Sequence, residues 1–435
     1  MQAIPHWGNL KRARLCIILH QVKPSFHHVC PKKVAAPRIF ILQKVNGMKR
    51  TILSICVIML ITVGAHAQLS ENPVDVRGAT TPKMQVVFAL DATGSMSGLI
   101  SAAKDKIWSI VSSLTQTQNT PDIEVGLIFY RDRGDDFITK KIQLTDSIDL
   151  VYSELMQIEA KGGGDSPESV NQGLNEAVEL FNWNKDTTTY KAVFLVGDFE
   201  PHMNYNDDVP YFVTCKIARS RDIVLNTILM GTNKVAEKIW KEIATCSDGA
   251  YVNVNMSAND IIINTPYDST IAFISDKLDD LRYYYGKAEL KTRGNVYKSK
   301  GKENAVASKT GVKAQRAEYN AYYFKKNSHK QNELLSDLAF NNVTLDTLKQ
   351  SELPDEFKNL SKDSLVIVVK QKADRRDSLQ KMLSREIVKR NRYVETELAK
   401  RNKSEVEGSF NNIIFTNVQK QTEKKKIVLK GKTKY

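Results

Sequence analysis

Between Met84 and about Gly286, short apolar runs alternate with longer amphipathic segments. The runs at 85–90 (QVVFAL), 123–130 (IEVGLIFY), 190–196 (YKAVFLV), 223–230 and 250–254 read as strands. Residues 137–144 alternate like an edge or antiparallel strand. Residues 101–114 place Ile107, Ile110, Val111 and Leu114 at helical spacing. Further helices are expected over 147–158, over 167–181 with Pro167 in the first turn, and over 209–219, 235–244 and 269–284. Strands and helices in alternation predict an α/β sandwich around a mostly parallel sheet. In such sheets a ligand sits beyond the carboxyl ends of the strands, where the strand order reverses.

After Gly286 the pattern changes. Residues 287–314 are rich in Lys, Gly, Ser, Thr and Asn without a hydrophobic period, and read as a flexible basic linker. Residues 315–435 read as a basic, mainly α-helical C-terminal region. Within it, 362–402 forms one long helix with Leu379, Leu383, Ile387, Val394 and Leu398 as an apolar stripe. That stripe suits either a coiled coil or packing against its own domain. Residues 412–428 resemble a small hairpin.

Charge follows the same divisions. Residues 1–67 hold 10 Lys and Arg and no Asp or Glu, residues 68–286 hold 19 against 31, and residues 287–435 hold 34 against 18. The first segment reads as export. Met48-Lys49-Arg50, the apolar run 52–63 and Gly64-Ala65-His66-Ala67 form a signal peptide over 48–67, cleaved before Gln68. The run is shorter than the about 20 residues a spanning helix needs. Residues 1–47 precede this plausible start and read as a mis-annotated start or an extension, and 68–83 as a linker. Of five cysteines, only Cys215 and Cys246 follow the leader. In an oxidising compartment they can pair, or they can stand as two separate buried thiols. No CxxC or Cys/His cluster suggests zinc.

Three loops after predicted strands carry oxygen-rich chemistry: Asp91-Ala92-Thr93-Gly94-Ser95, Gly162-Gly163-Gly164-Asp165-Ser166-Pro167-Glu168 and Gly197-Asp198. A D-x-T-x-S turn gathers one carboxylate and two hydroxyls, the donors that hard dications prefer. The words LDATGSM, GLIFYRDRGDD, GGGDSPESV and LVGDFEPH, in this order, resemble a bacterial branch of the von Willebrand factor type A family. The first loop is similar to that family's metal-ion-dependent adhesion site, D-x-S-x-S. The resemblance covers Met84 to about Gly286 and implies a Rossmann-like sandwich. It implies that Thr93 and Ser95 ligate the metal through hydroxyls and that Asp91 binds directly or through water. Asp198 is the third-loop carboxylate, and Asp165 stands where the family usually has a Thr. The implied ion is Mg²⁺, with Ca²⁺ or Mn²⁺ as alternatives. A third carboxylate leaves the site more negative than usual, which disfavours an acidic partner ligand or shifts preference toward Ca²⁺.

Competing motifs are weaker. Gly94-Ser95-Met96-Ser97-Gly98 fits the G-x-S-x-G nucleophile elbow, but after the leader the chain offers only His202 and His329 as partners. Arg133-Gly134-Asp135 reads as loop charge, and His202 as a packing residue. The tail shows no Gly-rich phosphate loop of a kinase. These features predict a non-enzymatic, metal-dependent protein-binding module, adhesive or scaffolding. It is expected to be periplasmic, envelope-associated or secreted, with a protein ligand in the envelope or outside the cell. The basic tail suits contact with anionic envelope components or docking on the acidic domain itself, and no nucleic-acid partner is expected. The rival reading is a structural envelope protein that acts through its tail, with a purely structural metal.

Overall fold

Strand β1 (Lys83–Asp91) is apolar on both faces and almost wholly buried, as a central parallel strand must be. The computed structural model describes residues 81–114, 121–164, 166–254, 261–307, 309–324, 332–429 and 433. The expected leader, 48–67, and the segments 1–47 and 68–80 lie outside the described residues. β1 is followed by α1 (Ile100–Leu114), β2 (Asp122–Tyr130), β3 (Thr139–Thr145), α2 (Ile148–Gln157), α3 (Val170–Glu179) and β4 (Tyr190–Gly197). Then come α4 (Tyr211–Ser220), β5 (Val224–Met230), α5 (Lys234–Thr245) and β6 (Tyr251–Val254). The six strands lie in the order β3-β2-β1-β4-β5-β6, all parallel except for β2–β3. The chain builds outward from β1 on one side, then crosses back to build outward from β4 on the other. The order therefore reverses between β1 and β4. The expected α/β sandwich is present.

Each sheet face has its own apolar layer. Met84, Val86, Phe88 and Leu90 of β1 pack with Trp108 of α1 and Tyr152 of α2. Val87 and Ala89 point the other way, toward Leu174 of α3, Cys215 of α4 and Trp240 of α5. Cys215 and Cys246 form a disulfide with Cα atoms 5.9 Å apart, tying α4 to the end of α5.

The C-terminal part departs from expectation in two places. The segment 287–314 contains helix α7 (Ala288–Ala307) and the start of α8 (Thr310–Phe324), in place of the expected flexible linker. α7 shows no apolar stripe because lysines help anchor it. Lys291 Nζ donates to the carbonyls of Ser351 and Leu353 at 2.9 and 3.2 Å, and Lys298 Nζ to those of Asp280 and Arg282 at 3.1 and 2.8 Å. Tyr284 also packs so closely on Gly294 that a Cβ there would lie 2.3 Å from the ring.

The second departure is at 412–428. This segment lies mostly in α12 (Phe410–Glu423), after α9 (Leu334–Ala339), α10 (Lys362–Ala399) and α11 (Lys403–Glu407). The expected hairpin is absent because Phe410, Ile414 and Val418 recur at helical spacing. They join Phe415 in the same apolar layer as Met84, Tyr190 and Val252. Burying each contributes about 1.5–3 kcal/mol. Gln421 fixes the register: its Oε1 accepts from Tyr190 Oη at 2.7 Å and its Nε2 donates to Asn226 Oδ1 at 2.8 Å. α12 thus covers the β4–β6 side of one sheet face. Ala79–Tyr435 is one compact unit, so the boundaries expected at 286 and 314 do not divide it.

The long helix expected at 362–402 is present as α10. Its Leu379 and Leu383 pack with Ile271 and Ile274 of α6 (Asp268–Asp280) and with Ala314 and Ala317 of α8, while Val394 meets Ile261 and Ile263. The stripe therefore faces its own chain. Among the described residues, no helix is long and apolar enough to cross a membrane.

Candidate metal centre

β1 and β4 deliver Asp91 and Asp198 to the same end of the sheet, beside the reversal of strand order. Asp91 is fully buried, and its Oδ1 accepts from Thr93 N at 2.9 Å and Thr93 Oγ1 at 2.7 Å. The chain runs on through Thr93 Oγ1 and Ser95 Oγ, 3.0 Å apart, to Asp198 Oδ1, which accepts from Ser95 Oγ at 3.0 Å. Thr93 is buried and Ser95 is exposed, so the row of oxygens runs from the interior to the surface. Asp91, Thr93, Ser95 and Asp198 are therefore brought together. Asp165 lies outside the described residues.

Small residues make the convergence sterically possible. A Cβ on Gly197 would lie 2.4 Å from Tyr130 Oη and 2.9 Å from Asp91 Oδ2, so β4 can pass Asp91 only as glycine. The first two loops are joined through backbone: Gly94 N donates to Gly162 O at 2.8 Å and Lys161 N to Ala92 O at 3.0 Å. Gly162 and Gly163 adopt φ of 77° and 75°, and Gly163 N donates to Asp135 Oδ2 at 2.9 Å.

One carboxylate at this site was not among the expected donors. Glu168 is 1% exposed and its backbone is held on both sides. Its N donates to Glu200 O and its O accepts from His202 N, both at 3.0 Å. Behind it, Asp132 accepts from Ser169 Oγ at 2.8 Å and Tyr205 Oη at 3.1 Å, with His202 Nε2 3.3 Å away. His202 Nδ1 lies 2.9 Å from Asn204 Oδ1. The imidazole pairs with Asn204 through Nδ1, and Ser95 with Thr93 and Asp198. The sequence did contain a signal for Glu168: a carboxylate three residues beyond Asp165 in the same strand-to-helix loop.

Charge at this end is poorly answered. Burial, then the charge of Asp198, pushes the Asp91 carboxyl up to about 7. Burial, then the charge of Asp91, pushes Glu168 up to about 9. Burial also raises Asp198, against the opposing hydrogen bond from Ser95. Asp91 Oδ2 and Glu168 Oε2 are buried without a hydrogen-bond partner, an arrangement that costs free energy unless something outside the chain meets it. Among the described residues, no three His, Cys, Asp or Glu side chains form a metal cage by themselves. The donor set is mixed, carboxylate and hydroxyl oxygens together, which is the chemistry of a hard dication site. The residues present fit such an ion.

The Arg133-Gly134-Asp135 string is occupied within its loops. Arg133 pairs with Asp207 and Asp208 at 2.8 and 2.7 Å and stacks on Tyr205, while Asp135 receives the Gly163 amide.

Residues 85–256 match the family model of the von Willebrand factor A domain. Together with the sheet and its reversal point, this match supports a domain of that kind here. Among curated proteins, one described as an ariadne-like RING finger protein of Acanthamoeba polyphaga mimivirus is 28% identical over 123 residues, 28% of this chain and 12% of that protein. The chain thus spans about an eighth of that relative's length. Solved structures similar to it include proximal thread matrix protein 1 of the mussel byssus, at 16% identity over 40% of this chain and 42% of that one, with a TM-score of 0.31. The pilus adhesin SpaC from Lactobacillus rhamnosus GG matches at 12% identity over 41% of this chain and 28% of its own, with a TM-score of 0.32. A von Willebrand factor type A protein from Catenulispora acidiphila matches at 15% identity over 40% and 39%, with a TM-score of 0.31.

Proposed function

We propose that the protein is an exported, non-catalytic binding module that holds a protein ligand through a divalent cation at the Asp91–Ser95 turn. The observation that carries this reading is the buried, unpartnered Asp91 Oδ2 behind a row of hydroxyls that ends at the surface. Asp91, Thr93, Ser95 and Asp198 would hold the ion, with Asp165 joining them by the family resemblance. Mg²⁺ suits the oxygen donors, as do Ca²⁺ and Mn²⁺. The ion supplies a positively charged coordination position that a partner's oxygen can take. The chain's own residues orient it: Thr93 clamps Asp91 Oδ1, and Ser95 clamps Asp198.

Export into an oxidising compartment accords with the disulfide. We place the partner in the envelope or outside the cell, and the protein in the periplasm, at the envelope or secreted. α8 and α12 contribute Val312, Tyr319, Phe410 and Ile414 to a sheet face, which favours the sheet end over a freely acting tail as the working surface. The test is capture from envelope extract by the immobilised protein with Mg²⁺ or with chelator, and by Asp91→Ala. The expected outcome is a partner that is lost with chelator and with Asp91→Ala while circular dichroism is unchanged. Equal capture in all three would overturn the reading.

A further inference from the structure

We propose that the cleft between the start of α2 and helix α7 binds a singly charged phosphate group. The inference stands apart from the metal-binding reading, because the cleft lies away from the Asp91 turn. β3 runs antiparallel to β2, so Thr145 at its end pairs with Val125, whereas Asp91 pairs with Tyr130, the last residue of β2. The cleft holds about 210 Å³. That is the share of about seven waters in the liquid, room for a phosphate with part of what carries it. Its polar lining includes Thr145, Ser147, Arg293, Tyr297 and Asn332.

Each of these groups has a proton to give. Ser147 sits at the N-cap of α2, a helix of 10 residues, so the positive end of that helix borders the cleft. Ser147 is 9% exposed, yet its hydroxyl accepts nothing from the helix and has no hydrogen-bond partner among the described residues. Such a hydroxyl costs free energy unless a ligand or water meets it. Thr145 Oγ1 accepts from the Ser147 amide at 3.0 Å, which leaves its own proton to donate. Arg293 is exposed and pairs with no carboxylate among the described residues, unlike Arg282 and Arg316. Tyr297 follows Arg293 by one helical turn and shares its face of α7. Asn332 is held by the bond from Tyr285 N to its carbonyl at 3.0 Å, and brings a side-chain amide. Asp146 is the one acid in the lining, and it has a partner of its own. With one guanidinium and one carboxylate, the cleft suits a phosphate of single charge, a diester, better than a polyphosphate. α7 also belongs to the region 287–435, whose 34 Lys and Arg against 18 Asp and Glu draw anions.

The experiment is calorimetric titration of the full chain, in chelator, with glycerophosphoglycerol, on wild type, Arg293→Gln and Ser147→Ala, with the melting temperature of each. Sedimentation with phosphatidylcholine vesicles, with and without phosphatidylglycerol, runs beside it. The expected result is saturable binding in wild type, weakened about 10-fold or more in Arg293→Gln and about 3-fold in Ser147→Ala. Ligand-free melting temperatures are expected to stay unchanged, since Arg293 is exposed and Ser147 caps no amide. If phosphatidylglycerol vesicles carry wild type down while Arg293→Gln stays in solution, the ligand is a lipid headgroup. If only the free diester binds, it is a soluble ester. Wild-type affinity in Arg293→Gln, or no saturable binding of either probe to wild type, would overturn the proposal. So would binding that appears only when metal is added and is lost in Asp91→Asn, which would place the anion on the cation instead. A Ser147→Ala protein that melts lower yet binds as wild type would overturn the role of Ser147.

Discussion

At the carboxyl end of the sheet, Asp91, Glu168 and Asp198 are buried among hydroxyls and backbone groups, whereas Asp149, Asp268, Asp279 and Glu333, buried among the helices α2, α6, α8, α9 and α10, each face an arginine. Arg316 bonds Asp149 at 2.5 Å and Asp279 at 2.8 Å, and Arg282 contacts both carboxylates. Arg376 bonds Glu333 at 2.6 Å and Arg390 bonds Asp268 at 2.8 Å. Burial is similar in the two regions, and the titration runs in opposite directions. Burial works against ionised Asp149, but Arg282 and Arg316 overcome it and hold the carboxyl well below its usual range. Glu333 is likewise lowered, with Arg376 outweighing burial. Asp91 and Glu168 are raised. A buried acidic group with its cation supplied by the chain serves the fold. One without it is suited to a cation from outside.

The contrast holds only if sheet and helices are one body, and the strongest test removes their joint. Ile414→Ala with Phe415→Ala strips apolar cover from the sheet face and is expected to cost about 5 kcal/mol or more. Urea denaturation would read this, and a loss under about 1 kcal/mol would mean that α12 is dispensable.

Breaking the arginine lattice comes next. Arg316→Met leaves Asp279 and Asp149 undercompensated and is expected to cost about 3–5 kcal/mol. Asp91→Asn in chelator should have the opposite sign, leaving stability near pH 8 unchanged or raised, because it removes an unpaired buried charge. Urea midpoints of the two variants would compare them directly.

The smallest effect is the pH profile of the metal-free protein. A folded carboxyl raised from 3.8 to about 7, as at Asp91, stabilises fully below pH 3.8, and this contribution is lost as pH rises through about 7. Glu168, raised from 4.5 to about 9, extends the loss to that pH. The lattice works the other way: the lowered Asp149 and Glu333 stabilise above their unfolded values, and that contribution is lost in acid. Urea midpoints in chelator should therefore fall between pH 5 and 9, and Mg²⁺ should blunt the fall. A chelated profile that rises over this range would mean that the carboxylates at the sheet end are not raised.

The parts of this arrangement that were legible in the sequence are the local ones. Apolar runs such as QVVFAL and YKAVFLV marked the central strands, and the DATGS turn and Gly197-Asp198 marked the strand ends that meet. Long-range packing was less legible. Phe410, Ile414 and Val418 had the right spacing, but nothing nearby indicated that they cover strands formed more than 150 residues earlier. α7 looked like linker because Lys291 and Lys298 help hold it through backbone carbonyls, which leaves no hydrophobic period to read. The arginine lattice was not legible, since its pairing spans up to 167 residues between Arg316 and Asp149. Glu168 was visible as a residue, but its burial was not, because that depends on the third loop.

The most direct test of the central claim is calorimetric titration of metal-stripped wild type and Asp91→Asn with Mg²⁺ near neutral pH. Saturable binding is expected in wild type and none in Asp91→Asn, with both proteins folded. No saturable heat in wild type at millimolar metal, or the same isotherm in both proteins, would contradict it.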